Sequence, residues 1–384
     1  MSPFGFGLED TLAALKSNKD CVLPVDRFEV ADCRCKTAAQ VRDSFLTGHL
    51  AGRRARRLDR SSQMMIAALA ELRTQDSRFE PELSVIGTTS GGMSFGQDYY
   101  RALHRRSSLR NSPRWIANYL PQKPVIDAQE AFGISAPCQV IANACASGTN
   151  AIGHAFELIR SGKYQRLLTG GYDALSELVF VGFDSLQAAT AEKCRPFDRD
   201  RSGMVLGEGA ALLALENFES ARARGAAVMA EITGYGISTD NHHLTQPDPT
   251  GSGPRRAMEQ ALQSANRTAG DVDYINAHGT ATVFNDAAEG KAIQELFGTV
   301  PVSSTKSMIG HSLGAAGAIE AVVCLLALRA QILPANINFR APDEALSLNV
   351  VANESRESKV DVVLSNSFGF GGTNASILLE RAAA

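Results

Sequence analysis

Four short strings crowded with glycine punctuate this chain: GTTSGGM at 87–93, GMVLGEGA at 203–210, GHSLGAAGA at 310–318 and GFGGTN at 369–374. Glycine costs backbone entropy inside regular elements, so clusters of it mark tight turns or close backbone approach. Apolar, strand-like runs at 83–87, 139–142, 167–169, 210–216 and 360–365 precede several of them. Helical patterns follow or intervene at 61–72, 148–160, 253–265, 286–297 and 315–330. Strands alternating with helices indicate an α/β protein built on central sheets. A division falls at 221–228, where a basic, small-residue helix end (ARARGAAV) leads into a new strand at 229–233. It separates a half at 1–226 from a half at 227–384. The halves are not visibly similar in sequence, and no short-period repeat or low-complexity tract appears.

Of 384 residues, 44% are apolar and 21% charged, an ordinary globular balance for one to three domains. A formal net charge of −3 gives the whole protein no field that would draw nucleic acid or a membrane surface. No apolar run is expected to reach bilayer-spanning length, and MSPFGFGLED lacks the layout of a signal peptide. The seven cysteines are scattered, without a CxxC or a Cys/His set at metal spacing, and Cys33 and Cys35 lie too close for a usual zinc pair. The expectation is a soluble cytoplasmic protein without a metal.

Within VIANACASGTN, Cys145 stands between an apolar strand and an amphipathic helix carrying Ile152, Phe156 and Ile159. A thiol at a helix N-terminus feels the positive end of the macrodipole and free N–H groups, both of which favour thiolate. Cys138, Cys194 and Cys324 read instead as packed core residues. His278, in YINAHGTAT, sits where an apolar strand ends, the edge at which α/β sheets bind ligands. His311 precedes a helix so rich in Gly and Ala that it must be tightly surrounded. Lys306 and Glu320 head for the same buried region and would need each other, either as a structural ion pair or as a pair orienting His311. The glycines of GFGGTN leave backbone N–H groups free to point into a site, as an oxyanion hole requires.

In order along the chain, ACASG, RPFDRDRSGMVLGEGAA, NAHGTAT, STKSMIGHSLGAAGA and SNSFGFGGTNAS resemble the motifs of elongating β-ketoacyl-acyl carrier protein synthases. The resemblance spans nearly the whole chain. It implies a thiolase-like α/β fold: two similar halves in a five-layered α-β-α-β-α arrangement. Cys145 would accept the acyl group, and His278 and His311 would bond the malonyl thioester carbonyl. Lys306 and Glu320 would hold the surrounding network. N–H groups of Cys145 and Phe370 would form the oxyanion hole, with Phe370 also an aromatic gate. Thr280, Thr282 and Gly371 would meet the substrate arm. Histidine at 311, where initiating synthases use asparagine, implies elongation of a carrier-bound chain.

The resemblance also implies partners. An acidic acyl carrier protein would dock on cations, with Arg53, Arg54, Arg56 and Arg57 as one group and Arg105, Arg106, Arg110 and Arg114 as another. A homodimer, or a heterodimer with a related subunit, would form, and no cofactor would be needed beyond the carrier's phosphopantetheine. Three departures stand out. The chain begins near the end of the family's first core strand, leaving a sheet slot to account for. Met204 replaces the usual phenylalanine beside the malonyl site. Ser90 is small where the family limits acyl depth, which implies a roomier pocket. A non-catalytic chain-length partner would lack the nucleophile, and a thiolase-like enzyme would carry a second reactive cysteine near the C-terminal glycine loop.

Overall fold

The computed structural model describes residues 1–48, 50, 58–105 and 112–382. The main elements of the N-terminal half are α1 (Arg60–Gln75), β1 (Leu83–Gly87), α2 (Lys123–Phe132), β2 (Cys138–Ile141), α3 (Ser147–Arg160), β3 (Arg166–Asp173), α4 (Glu177–Ser185) and β4 (Gly209–Glu216). Those of the C-terminal half are β5 (Glu231–Thr239), α5 (Ser252–Ser264), β6 (Tyr274–Asn276), α6 (Val283–Phe297), β7 (Pro301–Ser303), α7 (Ala316–Ala330), β8 (Asn349–Val350), β9 (Val362–Gly369) and β10 (Thr373–Glu380). The local signals are legible: Asp59 caps α1 by accepting from the Ser61 amide at 2.8 Å, and every residue of LSVIG in β1 is buried, as a central parallel strand demands.

One sheet runs β2-β1-β3-β4 and the other β8-β7-β6-β9-β10-β5. In each, parallel neighbours (β2, β1, β3; β7, β6, β9) are joined by crossover helices, and an antiparallel strand (β4; β10) closes the series. The two halves therefore share one topology. Helices α1 and α2 cover the outer face of the first sheet, α5 and α6 that of the second, and α3 and α7 lie between the sheets. This is the five-layered thiolase-like arrangement. Among the described residues, the strand that β5 adds beside β10 has no counterpart beside β4, where Met1 exchanges backbone bonds with Ala210 at 3.0 and 2.9 Å.

The central layer is close-packed because its facing residues are small. A Cβ on Gly148 would lie 2.7 Å from the Gly314 carbonyl oxygen, and one on Gly317 would lie 2.0 Å from Thr149 Oγ1. Thr149 Oγ1 also shares a 2.7 Å bond with Ser367 Oγ, tying α3 to β9. The stretch Leu313–Ala330 is in fact long and apolar enough to cross a bilayer, with a mean hydropathy of 1.8, which corrects the expectation that no run reaches that length. Most of it is buried as the helix between the sheets, and that position explains its all-round apolarity. Cys194 and Cys324 are packed in the interior, whereas Cys138, on edge strand β2, is only half-buried.

Candidate active site

Four loops bring the site residues together, and each leaves the C-terminal end of a strand: β2 leads to Cys145, β6 to His278, β7 to Lys306 and His311, β9 to Phe370. Cys145, Met204, His278, Thr280, Thr282, His311, Phe368 and Phe370 line one cavity of about 210 Å³. Exposed Leu186, Val283 and Phe284 also line it. The two imidazole rings meet edge to face, with centroids 5.2 Å apart.

Cys145 is presented by a tight elbow. Ala144 adopts φ 56°, and the Ser147 hydroxyl bridges the turn by accepting from the Asn143 amide at 2.9 Å and donating to the Ala144 carbonyl at 2.6 Å. The sequence led us to expect a thiolate, yet burial pushes the thiol up to about 12. The Lys306 charge and the N–H groups of Phe370 and Cys145, which are directed at the sulfur, pull the other way without overcoming that desolvation. Those two N–H groups are the expected oxyanion donors.

His311 accepts the Leu313 N–H on Nδ1 at 3.3 Å, so its proton sits on Nε2, a buried atom with no hydrogen-bond partner among the described residues. On His278 the buried ring nitrogen left open is Nδ1. Burial first, then the Lys306 charge, hold both imidazoles well below the ordinary 6.5, so each is a neutral hydrogen-bond donor. Lys306 is itself buried and paired with Glu320, whose carboxyl is raised by burial to about 7 against the pull of the lysine. The lysine thus reaches Glu320, not His311, and bears on the histidines through its field.

The loop after β9 is a hairpin closed by the Gly369–Thr373 pair, with Gly371 and Gly372 at φ 83° and 75°. Phe370 at its tip stacks on Phe183 of α4 with centroids 5.6 Å apart.

The scan against family models matches the β-ketoacyl synthase N-terminal domain at residues 1–221 and the β-ketoacyl synthase C-terminal domain at residues 229–340. The chain belongs to the β-ketoacyl synthase family. It is 38% identical to a 3-oxoacyl-acyl-carrier-protein synthase 2 of Coxiella burnetii, an alignment covering 99% of this chain and 96% of that one. A synthase of the same name from Synechocystis sp. is 36% identical over the same shares. Among solved structures, the ishigamide ketosynthase/chain length factor superposes with a TM-score of 0.93 at 32% identity, covering 100% of this chain and 97% of that one. A type II PKS acyl-carrier protein in complex with its ketosynthase matches with a TM-score of 0.89 at 25% identity over the same shares.

Not every residue singled out in this synthase's sequence reaches the cavity. The Ser90 hydroxyl donates to Asp173 at 2.6 Å, and Ser90 is not among the residues that line this cavity. Gly371 donates its N–H to the Leu244 carbonyl at 2.7 Å and is not among the residues that line this cavity. Thr280 and Thr282 share a 2.9 Å bond between their hydroxyls inside the cavity. Arg53, Arg54, Arg56, Arg57, Arg106 and Arg110 lie outside the described residues, and Arg105 is exposed. Sequence reading missed Glu289, which anchors the His278 turn by accepting the His278 and Gly279 N–H groups at 2.8 Å each. A carboxylate eleven positions past His278, on the helix that follows it, was the available signal.

Proposed function

We propose that this β-ketoacyl synthase elongates a carrier-bound acyl chain by decarboxylative condensation with a malonyl thioester, using Cys145, His278 and His311. The observation that supports this most directly is a buried cysteine sharing one cavity with two neutral, touching imidazoles, His311 having its proton on the nitrogen left without a partner. In the first step the Cys145 sulfur attacks the acyl thioester carbonyl, whose oxygen gathers charge between the N–H groups of Cys145 and Phe370. The C–S bond to the carrier breaks, and the thiol proton leaves on the carrier sulfur. In the second step the malonyl carboxylate departs as CO₂, and the enolate oxygen is held by N–H donors of His278 and His311. The enolate carbon then attacks the Cys145 thioester, forming the new C–C bond and releasing the cysteine sulfur. Neutral imidazoles suit this work, because they are donors that need no prior protonation.

Thr280 and Thr282, with Met204 beside the malonyl group, are the substrate contacts in this reading, and Phe370 is the gate. The partner is an acyl carrier protein, as the relatives' names state for them. The chain works as a homodimer or beside a related subunit, since two structural neighbours are ketosynthases with chain length factors. We assign the halves to 1–226 and 227–384, the location to the cytoplasm, and the chemistry to side chains and carrier without a further cofactor. The test is a ladder of acyl-carriers offered with malonyl-carrier, scored by mass for a product two carbons longer. Some member of the ladder is expected to be extended. Cys145 acylation with no extension of any chain length would contradict the proposal.

A further inference from the structure

Asp173 ends β3, is fully buried, and has no part in the chemistry above. Its carboxylate is saturated by donors. Oδ1 accepts from the Thr88 hydroxyl at 2.8 Å, the Ser90 N–H at 2.9 Å and the Ser90 hydroxyl at 2.6 Å. Oδ2 accepts from the Thr89 N–H at 2.8 Å and the Gly314 N–H at 2.7 Å. These donors belong to two separate loops, the one after β1, which touches the elbow of Cys145, and the one that follows His311. On the first side, the Thr89 hydroxyl donates to the Ala144 carbonyl at 3.0 Å, and Ala144 is the φ 56° residue immediately before Cys145. On the second, Gly314 follows Leu313, which adopts φ 55° and whose N–H sets the His311 tautomer. Non-glycine residues in the left-handed region persist only where their surroundings over-determine them. The junction is also sterically full: a Cβ on Gly314 would lie 2.5 Å from the Thr89 nitrogen and 2.7 Å from Asp173 Oδ2.

We propose that Asp173 is a positioning residue that braces both strained turns, acting through Thr89 and Ala144 on Cys145 and through Gly314 and Leu313 on His311. One carboxylate thereby keeps the acyl-bearing sulfur and the enolate-binding imidazole in register across the interface of the two halves. The inference rests on the roles given to Cys145 and His311 above.

The test is a double-mutant cycle on malonyl-carrier decarboxylation in the full chain, with Asp173→Asn, His311→Ala and both together. Asp173→Asn is expected to lower kcat by about 100-fold, the scale of losing one preorganised donor, with KM changed by less than about threefold. In the His311→Ala background it should cost less than about twofold more. Losses that multiply in full would overturn the proposal, since Asp173 would then not act through His311. Should Asp173→Asn fail to fold, Thr89→Val isolates one brace and leaves the other bonds to Asp173 in place. Acyl loading of Cys145 should slow by about tenfold while decarboxylation stays within about twofold. Equal slowing of both steps, or unslowed loading, would overturn it. A Cys145→Ala control separates the two readings: loading that survives it defeats both, whereas a blank control with multiplying losses defeats this one alone.

Discussion

Burial sets the protonation states on which Cys145, His278 and His311 depend. A helix N-terminus alone argues for a thiolate, but the desolvation that raises the thiol to about 12 exists only once α3, α7 and the β9 loop have closed around it. The position of the proposed nucleophile was therefore legible in the sequence, and its charge was not. Alkylation of Cys145 by iodoacetamide should keep rising from pH 7 to pH 10, roughly tenfold per unit, because the thiolate fraction is still growing there. A plateau near pH 8 would show that the helix terminus had won. The histidines were legible as strand-end residues, but their neutrality comes from burial and from Lys306. Lys306→Met should let both imidazoles titrate closer to 6.5, so that decarboxylation gains an acid limb that the parent enzyme lacks. It should also destabilise the fold by about 3–5 kcal/mol in urea titration, because Glu320 loses the partner of its buried charge.

Linkage gives a further check at the same scale. Glu289 and Glu320 are raised from 4.5 to about 7, so between those values the folded chain holds protons that the unfolded chain has released. The stability they contribute is complete below about pH 4.5 and is lost as pH rises through about 7. The depressed histidines and the desolvated Met1 amine tilt stability the other way as pH falls through their ordinary values of 6.5 and 8.0. Between pH 6.5 and 7.5 the slope of unfolding free energy against pH should therefore be more positive in Glu289→Gln than in the parent, because the variant lacks the contribution that Glu289 loses there. An unchanged slope in the variant would place the titrating group elsewhere.

Among the elements, α3 and α7 decide the architecture, and their contact is what glycine permits. Gly317→Val would drive a branched side chain into Thr149, where even a Cβ lies 2.0 Å from Oγ1. The overpacking should cost about 1–3 kcal/mol, read as a lower urea midpoint at constant m-value. A neutral result would mean that the helices part easily. The density of glycine and alanine at 310–318 announced this crowding in advance, since no other composition lets backbones approach so closely. Boundaries were less legible. The strand read at 360–365 runs instead over Val362–Gly369, because its end is set by pairing with β10 across the hairpin and not by its own side chains. The helix read from 286 begins at Val283, right after Thr282, within the motif that shapes the pocket.

At the scale of the whole molecule, the two halves repeat one strand order although their sequences show no visible likeness. Topology is carried by hydrogen-bond register and by which face of each helix is apolar, and many sequences meet both conditions. The meeting of Cys145 from one half with His278 and His311 from the other follows from that repeat, since strand ends in both sheets point at the same cavity. Composition could not show this, and the ordered motifs could do so only by resemblance. Recognition of the carrier belongs to this scale as well. Arg56→Glu with Arg57→Glu should weaken carrier binding by about tenfold at low salt, with the difference shrinking as ionic strength rises. Equal affinities across a salt series would remove those arginines from the docking surface.

The most direct measurement is the intact mass of His311→Ala and Cys145→Ala after incubation with an acyl-carrier and malonyl-carrier. The histidine variant should accumulate one acyl group on Cys145 and release no extended product, because loading needs the sulfur and condensation needs the imidazole. The cysteine variant should carry no acyl group at all. An acylated Cys145→Ala protein, or extended product from His311→Ala at the parent rate, would contradict the division of labour drawn from this site.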